Sequence, residues 1–102
     1  MIITKANEEN RITLLLEGWL DTEAAPALGE EIEKIEEAEE ILLDMDKVEY
    51  MSSSGLRQIV AAYRKARELD ASFSAVNVHP EIMSIFSLTG LDKKFTIKAA
   101  QV

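Results

Sequence analysis

Ile41-Leu42-Leu43-Asp44-Met45-Asp46-Lys47-Val48-Glu49-Tyr50-Met51-Ser52-Ser53-Ser54-Gly55-Leu56 is the stretch from which the rest of the chain can be placed. Its first three residues are apolar on both faces, bounded by acids and too short for a helix, which predicts a buried central strand. A loop of about eight residues is then expected before the serine run. From Leu56 the period becomes helical, with Leu56, Ile59, Val60, Tyr63 and Ala66 expected inward and Arg57, Arg64, Lys65 and Arg67 mostly outward. The serines therefore stand where a strand hands over to a helix.

Working back from Ile41, the segment Asp21 to Glu40 reads as an acidic amphipathic helix. Asp21-Thr22 is a natural cap, Pro26 fits only a first turn, and Leu28, Ile32 and Ile35 fall on one face. Before it, Arg11 to Gly18 alternates, with Ile12, Leu14 and Leu16 opposed to Thr13, Leu15 and Glu17, and so predicts a strand. The β-branched Ile2-Ile3-Thr4 and the polar turn Asn7–Asn10 make a hairpin with it. Working forward, Ser72–Val76 is a strand with small residues. Pro80 opens a third helix carrying Ile82, Met83, Ile85, Phe86 and Leu88, Gly90 stops it, and Phe95-Thr96-Ile97 closes the chain as an edge strand. The order β-β-α-β-α-β-α-β describes an α/β domain: a mixed sheet of about five strands, parallel where single helices intervene, with three helices on one or both faces. In such a sheet the site is expected at the carboxyl ends of the strands, the end at which both Asp21-Thr22 and Ser52–Ser54 follow a strand and have the opportunity to be neighbours.

The 102 residues are enough for one domain, 1–102, and 47% hydrophobic with 29% charged residues describes a globular chain and not a disordered one. No apolar run approaches the roughly 20 residues of a membrane helix, and no secretory signal opens the chain, so a cytoplasmic protein without direct membrane insertion is expected. The absence of cysteine excludes disulfides, thiolate metal sites and cysteine nucleophiles. Between Asp21 and Glu40 lie nine acids and one base, Lys34, which account for the whole net charge of −8. A field of that sign argues against nucleic acid or an anionic membrane as partner. It serves either as a solvated helix face or as a steering surface for a basic partner.

Ser52, Ser53 and Ser54 can cap the free amides of the second helix, and three hydroxyls exceed what capping needs. Phosphorylation is the chemistry that suits the surplus: a phosphoserine, at about −1.5 to −2 charges, is welcomed by a helix start, and Arg57 lies one turn away. A serine nucleophile fits poorly. Met51 precedes the run where an elbow needs glycine, and His79, the only histidine, sits at a helix entry as a capping or surface residue. One histidine and dispersed acids offer no metal site, and the glycines at 18, 29, 55 and 90 make no phosphate loop. No catalytic activity and no cofactor are expected.

Four stretches, in order, resemble the STAS family, the sulphate-transporter and anti-sigma-factor-antagonist domains, and in particular its stand-alone bacterial antagonists. Gly18-Trp19-Leu20-Asp21-Thr22 with Ala25-Pro26 looks like the family's Gly-x-Leu-Asp turn. Ile41 to Met51 looks like its central strand and loop, Ser53-Ser54-Gly55-Leu56 like its hydroxyl-hydroxyl-Gly-Leu signature, and Ser87 to Phe95 like its closing segment. The resemblance implies partner switching in transcription regulation. Unphosphorylated, such an antagonist binds an anti-sigma factor that is also a serine kinase, and a sigma factor is freed; phosphorylation ends the complex, and a phosphatase resets it. Carried over residue by residue, the phosphoacceptor is Ser53, Ser54 and Gly55 shape the helix start, and Asp21 contributes to a partner surface expected to include Thr22 and Ser52. Where the family has Asp before the acceptor this chain has Ser52, so Ser52 stands as the register alternative. The same resemblance leaves open a constitutive scaffold or transporter-associated subunit without a phospho-switch.

Overall fold

The computed structural model describes residues 1–101. Strand β1 (Ile2–Glu8) turns through Glu9 and Asn10, both at positive φ, into β2 (Arg11–Leu20), a two-residue turn whose twist suits an antiparallel hairpin. Helix α1 (Ala25–Glu33), β3 (Glu40–Met51), α2 (Ser53–Glu68), β4 (Ser72–Val78), α3 (Pro80–Thr89), a single 3-10 turn (Leu91–Lys93) and β5 (Thr96–Ala99) follow. The sheet order is β1-β2-β3-β4-β5, with β1 antiparallel to β2 and all other neighbours parallel. The β-β-α-β-α-β-α-β order read from the sequence is thus observed, with β3 at the centre and β5 at an edge.

The helices cover one face of the sheet. Ile12, Leu14 and Leu16 on β2, Ile41, Leu43 and Met45 on β3, and Phe73 and Ala75 on β4 are buried. The alternating positions Thr13, Leu15, Glu17, Leu42, Asp44 and Ser74 stay at least partly exposed. Phe86 of α3 meets Phe95 with ring centroids 6.2 Å apart, and Phe95 meets Phe73 of β4 at 4.8 Å and Tyr63 of α2 at 5.2 Å. One aromatic cluster therefore ties α2 and α3 to the same side.

Three expectations are corrected. The eight residues after Leu43 are not a loop: they continue β3 to Met51. Its buried positions run Ile41, Leu43, Met45 and then Val48 and Met51, because pairing with β2 shifts register between Leu15 and Glu17 and again between Gly18 and Trp19. That irregularity breaks the period of two and, with four charges between Asp44 and Glu49, disguises a strand as a loop. In α2 the buried line is Gly55, Ile59, Ala62 and Ala66, while Leu56, Val60 and Tyr63 are only partly covered. Small residues let the helix axis lie close to the sheet, which turns the larger neighbours toward the flanks. Finally, the helix read from Asp21 to Glu40 is shorter: α1 spans only Ala25–Glu33, and Asp21 caps the turn that leads into it, its Oδ1 accepting the Ala24 amide and its carbonyl the Ala25 amide, both at 2.9 Å. Among the described residues, no helix is long and apolar enough to cross a membrane.

Candidate functional site

The carboxyl ends of β2 and β3 stop side by side, Leu20 in register with Met51, and the chain turns from Met51 straight into α2. Ser52 makes that turn with extended backbone, φ −88 and ψ 173. Its amide donates to the Leu20 carbonyl at 2.9 Å, and its hydroxyl donates to the same oxygen at 3.4 Å. The hydroxyl also accepts the Gly55 amide at 3.1 Å, the bond of a true N-cap. Ser52 is therefore occupied in both directions, stitching the helix start to the end of β2.

Gly55 is buried because the helix enters so close to β2. A Cβ there would meet the Leu20 carbonyl oxygen and stand 2.6 Å from Leu20 Cγ, contacts no side chain can make. The tight entry leaves the first turn of α2 presented to solvent. Ser53 is exposed, its hydroxyl engaged in none of the bonds that hold Ser52. Arg57, also exposed, follows one turn later on the same helix. Ser54 is half-buried and accepts a hydrogen bond from Thr22 Oγ1 at 3.4 Å. Asp21 organises the turn opposite: its Oδ1 accepts the Ala24 amide at 2.9 Å and its carbonyl the Ala25 amide at 2.9 Å. The fold thus brings together Asp21, Thr22, Ser52, Ser53, Ser54 and Gly55, from two segments 32 positions apart at the Thr22–Ser54 bond, at the carboxyl ends of β2 and β3.

What this surface offers chemically is a free hydroxyl beside unsatisfied helix amides and the positive end of a helix dipole, a setting that accepts an added anion. His79 is engaged elsewhere. Its Nε2 lies 2.7 Å from the Asp46 carbonyl oxygen, which can only accept, so this nitrogen carries the proton, with Asp46 Oδ1 at 3.4 Å. The imidazole is thereby turned to β3, and no bond joins it to the serines.

One feature of the site escapes sequence reasoning. Trp19 and Tyr50, paired across β2 and β3, are 57% and 47% exposed, with ring centroids 5.2 Å apart at 41°. Each immediately precedes the residue, Leu20 or Met51, that anchors the serine turn. The pairing was hidden because the segment holding Tyr50 reads as a loop, so no register connects it to Trp19.

A family model described as STAS domain matches residues 2–101. The anti-sigma-B factor antagonist of Listeria monocytogenes is 28% identical over 96 residues, 92% of this chain and 84% of that protein. The protein of the same name from Bacillus subtilis is 27% identical over 92 residues, 89% of this chain and 84% of its own length. Among solved structures, an anti-sigma factor antagonist from Mycobacterium paratuberculosis superposes with a TM-score of 0.85 at 26% identity, covering 95% of this chain and 84% of that one.

Proposed function

The chain belongs to the STAS domain family, and on that footing we propose that it is an anti-sigma factor antagonist switched by phosphorylation of Ser53. In the unmodified state it binds an anti-sigma factor that is also a serine kinase, and a sigma factor is released. The kinase then transfers phosphate to Ser53, the complex dissociates, and a phosphatase restores the binding form. The single observation that carries this reading is the division of labour between adjacent hydroxyls. Ser52 is consumed in capping α2, while Ser53 is exposed at the first position of that helix. That division favours Ser53 over Ser52 as acceptor, because modifying Ser52 requires giving up the cap.

The energetics suit a reversible switch. A phosphate at Ser53 is stabilised in the free protein by the amides of the first turn and by Arg57, so modification does not disturb the fold. In the complex the same phosphate is buried without a partner for its charge, at a cost of about 2–5 kcal/mol. At about 1.4 kcal/mol per tenfold, the complex weakens roughly 30- to several-thousand-fold.

The test is to incubate the chain with ATP and the anti-sigma factor kinase encoded in the same genome, and to locate the phosphate by mass spectrometry. Phosphate on Ser53, its loss in Ser53→Ala with binding retained, and weak binding by Ser53→Glu are the expected results. Tight binding by Ser53→Glu would overturn the switch. Binding without any phosphate transfer would point instead to a constitutive scaffold.

A further inference from the structure

Large aromatic side chains left on a free surface forgo the gain of leaving water, and two of them touching on the rim of a site call for an occupant. Trp19 and Tyr50 lie on the helix-free side of the sheet, since Leu20 and Met51, the next residues on each strand, are both buried under the helices. Ile2 extends the apolar surface: it is 60% exposed and pairs with Glu17, two residues before Trp19. Met1, 38% exposed, has its Cα only 3.7 Å from where a Cβ on Gly18 would stand. Gly18, at φ +106, is what lets the strand bend past this terminus and turn Trp19 outward.

We infer that the Trp19–Tyr50 pair is the apolar anchor by which this chain docks on its anti-sigma factor, seated in an apolar pocket with a basic rim next to the surface that receives Ser53. The inference rests on the antagonist reading above and adds to it the part of the interface that holds the partner while the serine turn is read. Charge selects the occupant. Exposed Glu17 and Glu49 and half-buried Asp21 flank the two aromatics in sequence and outnumber Lys47 and the Met1 amino group. A second copy of the chain would bring the same acids against themselves, on top of a net charge of −8 on each molecule. An anionic bilayer is repelled on the same ground. A protein with a basic rim is attracted, and touching Trp and Tyr residues are the side-chain types that dominate such interfaces.

The test uses the full chain and the anti-sigma factor that binds it in the Ser53 experiment. Trp19→Ala/Tyr50→Ala is expected to weaken binding about 30-fold or more, with cooperative urea unfolding retained because neither side chain belongs to the buried core. Leu88→Ala, at an 87% exposed apolar position on α3, serves as control and is expected to leave binding unchanged. Trp19 is the only tryptophan, so in the parent labelled with 5-fluorotryptophan its fluorine resonance is expected to shift on complex formation. This second readout holds even if the double variant folds poorly. Equal affinity of parent and double variant, or an unmoved resonance in the complex, overturns the inference alone. So does a parent dimer that the double variant abolishes, or parent binding to phosphatidylglycerol vesicles. A parent that binds no anti-sigma factor overturns the antagonist reading, and this inference with it.

Discussion

Adding one methyl group at Gly55 and the same methyl group at Gly29 should have opposite effects, although both glycines lie in helices. Alanine is favoured over glycine in a helix by up to about 1 kcal/mol, so propensity alone predicts that both substitutions stabilise. At Gly29, in α1, the new Cβ would stand 2.8 Å from Oε1 of Gln58, the far end of a flexible side chain that can swing aside. The propensity gain therefore survives, and Gly29→Ala should be neutral or stabilising by up to about 1 kcal/mol. At Gly55 the new Cβ would stand 2.6 Å from Leu20 Cγ and against the Leu20 carbonyl oxygen. That carbonyl cannot yield without loosening the two bonds it receives from Ser52. Overpacking of this kind costs about 1–3 kcal/mol, and the loss of the cap adds about 1 kcal/mol, so the net effect is destabilising. Urea unfolding of the two variants beside the parent measures both differences, and thermal unfolding should show about 4–8 °C per kcal/mol in a chain of this size. A Gly55→Ala protein as stable as Gly29→Ala would refute the close helix entry on which the exposure of Ser53 depends.

The two serines should separate in the same assay. Ser52→Ala should cost about 0.5–2 kcal/mol through loss of the cap, while Ser53→Ala, at an exposed position, should stay within about 0.5 kcal/mol of the parent. Phe86→Ala removes the fully buried ring by which α3 joins the aromatic cluster at Phe95 and should destabilise by about 3–5 kcal/mol, read as a fall in the urea midpoint. Replacing Glu30, Glu33 and Glu37, all exposed on or just after α1, by glutamine should slow association with a basic partner in stopped-flow mixing at low salt. The difference should shrink at high salt, where the Debye length falls to about 3 Å; association rates equal to the parent's at low salt would rule out steering by this helix.

The fold was legible wherever one residue type had one physical reading. Ile12, Leu14 and Leu16 alternate without interruption, so β2 and its buried face follow directly; Leu28, Ile32 and Ile35 mark the buried side of the α1 segment although the helix itself ends at Glu33. Legibility failed where tertiary structure changed the period. Val48 and Met51 are buried in β3, yet a register shift against β2 places them three apart, and Asp44, Asp46, Lys47 and Glu49 fill the positions between. In α2 the closest approach is made by Gly55, Ala62 and Ala66, whose smallness says nothing in a sequence until the partner surface, Leu20, is known. The residues carried over from the family signature are brought together in space, but the different parts played by Ser52 and Ser53 needed hydrogen-bond geometry. The Trp19–Tyr50 pair needed the strand register.

The proposed switch depends on what phosphate at Ser53 does to binding. Isothermal titration of the anti-sigma factor with the unmodified chain, and with the same chain stoichiometrically phosphorylated at Ser53 by the kinase, measures it directly. A switch at Ser53 requires a Kd at least about 30-fold weaker for the phosphorylated chain; equal Kd values for the two forms would rule it out.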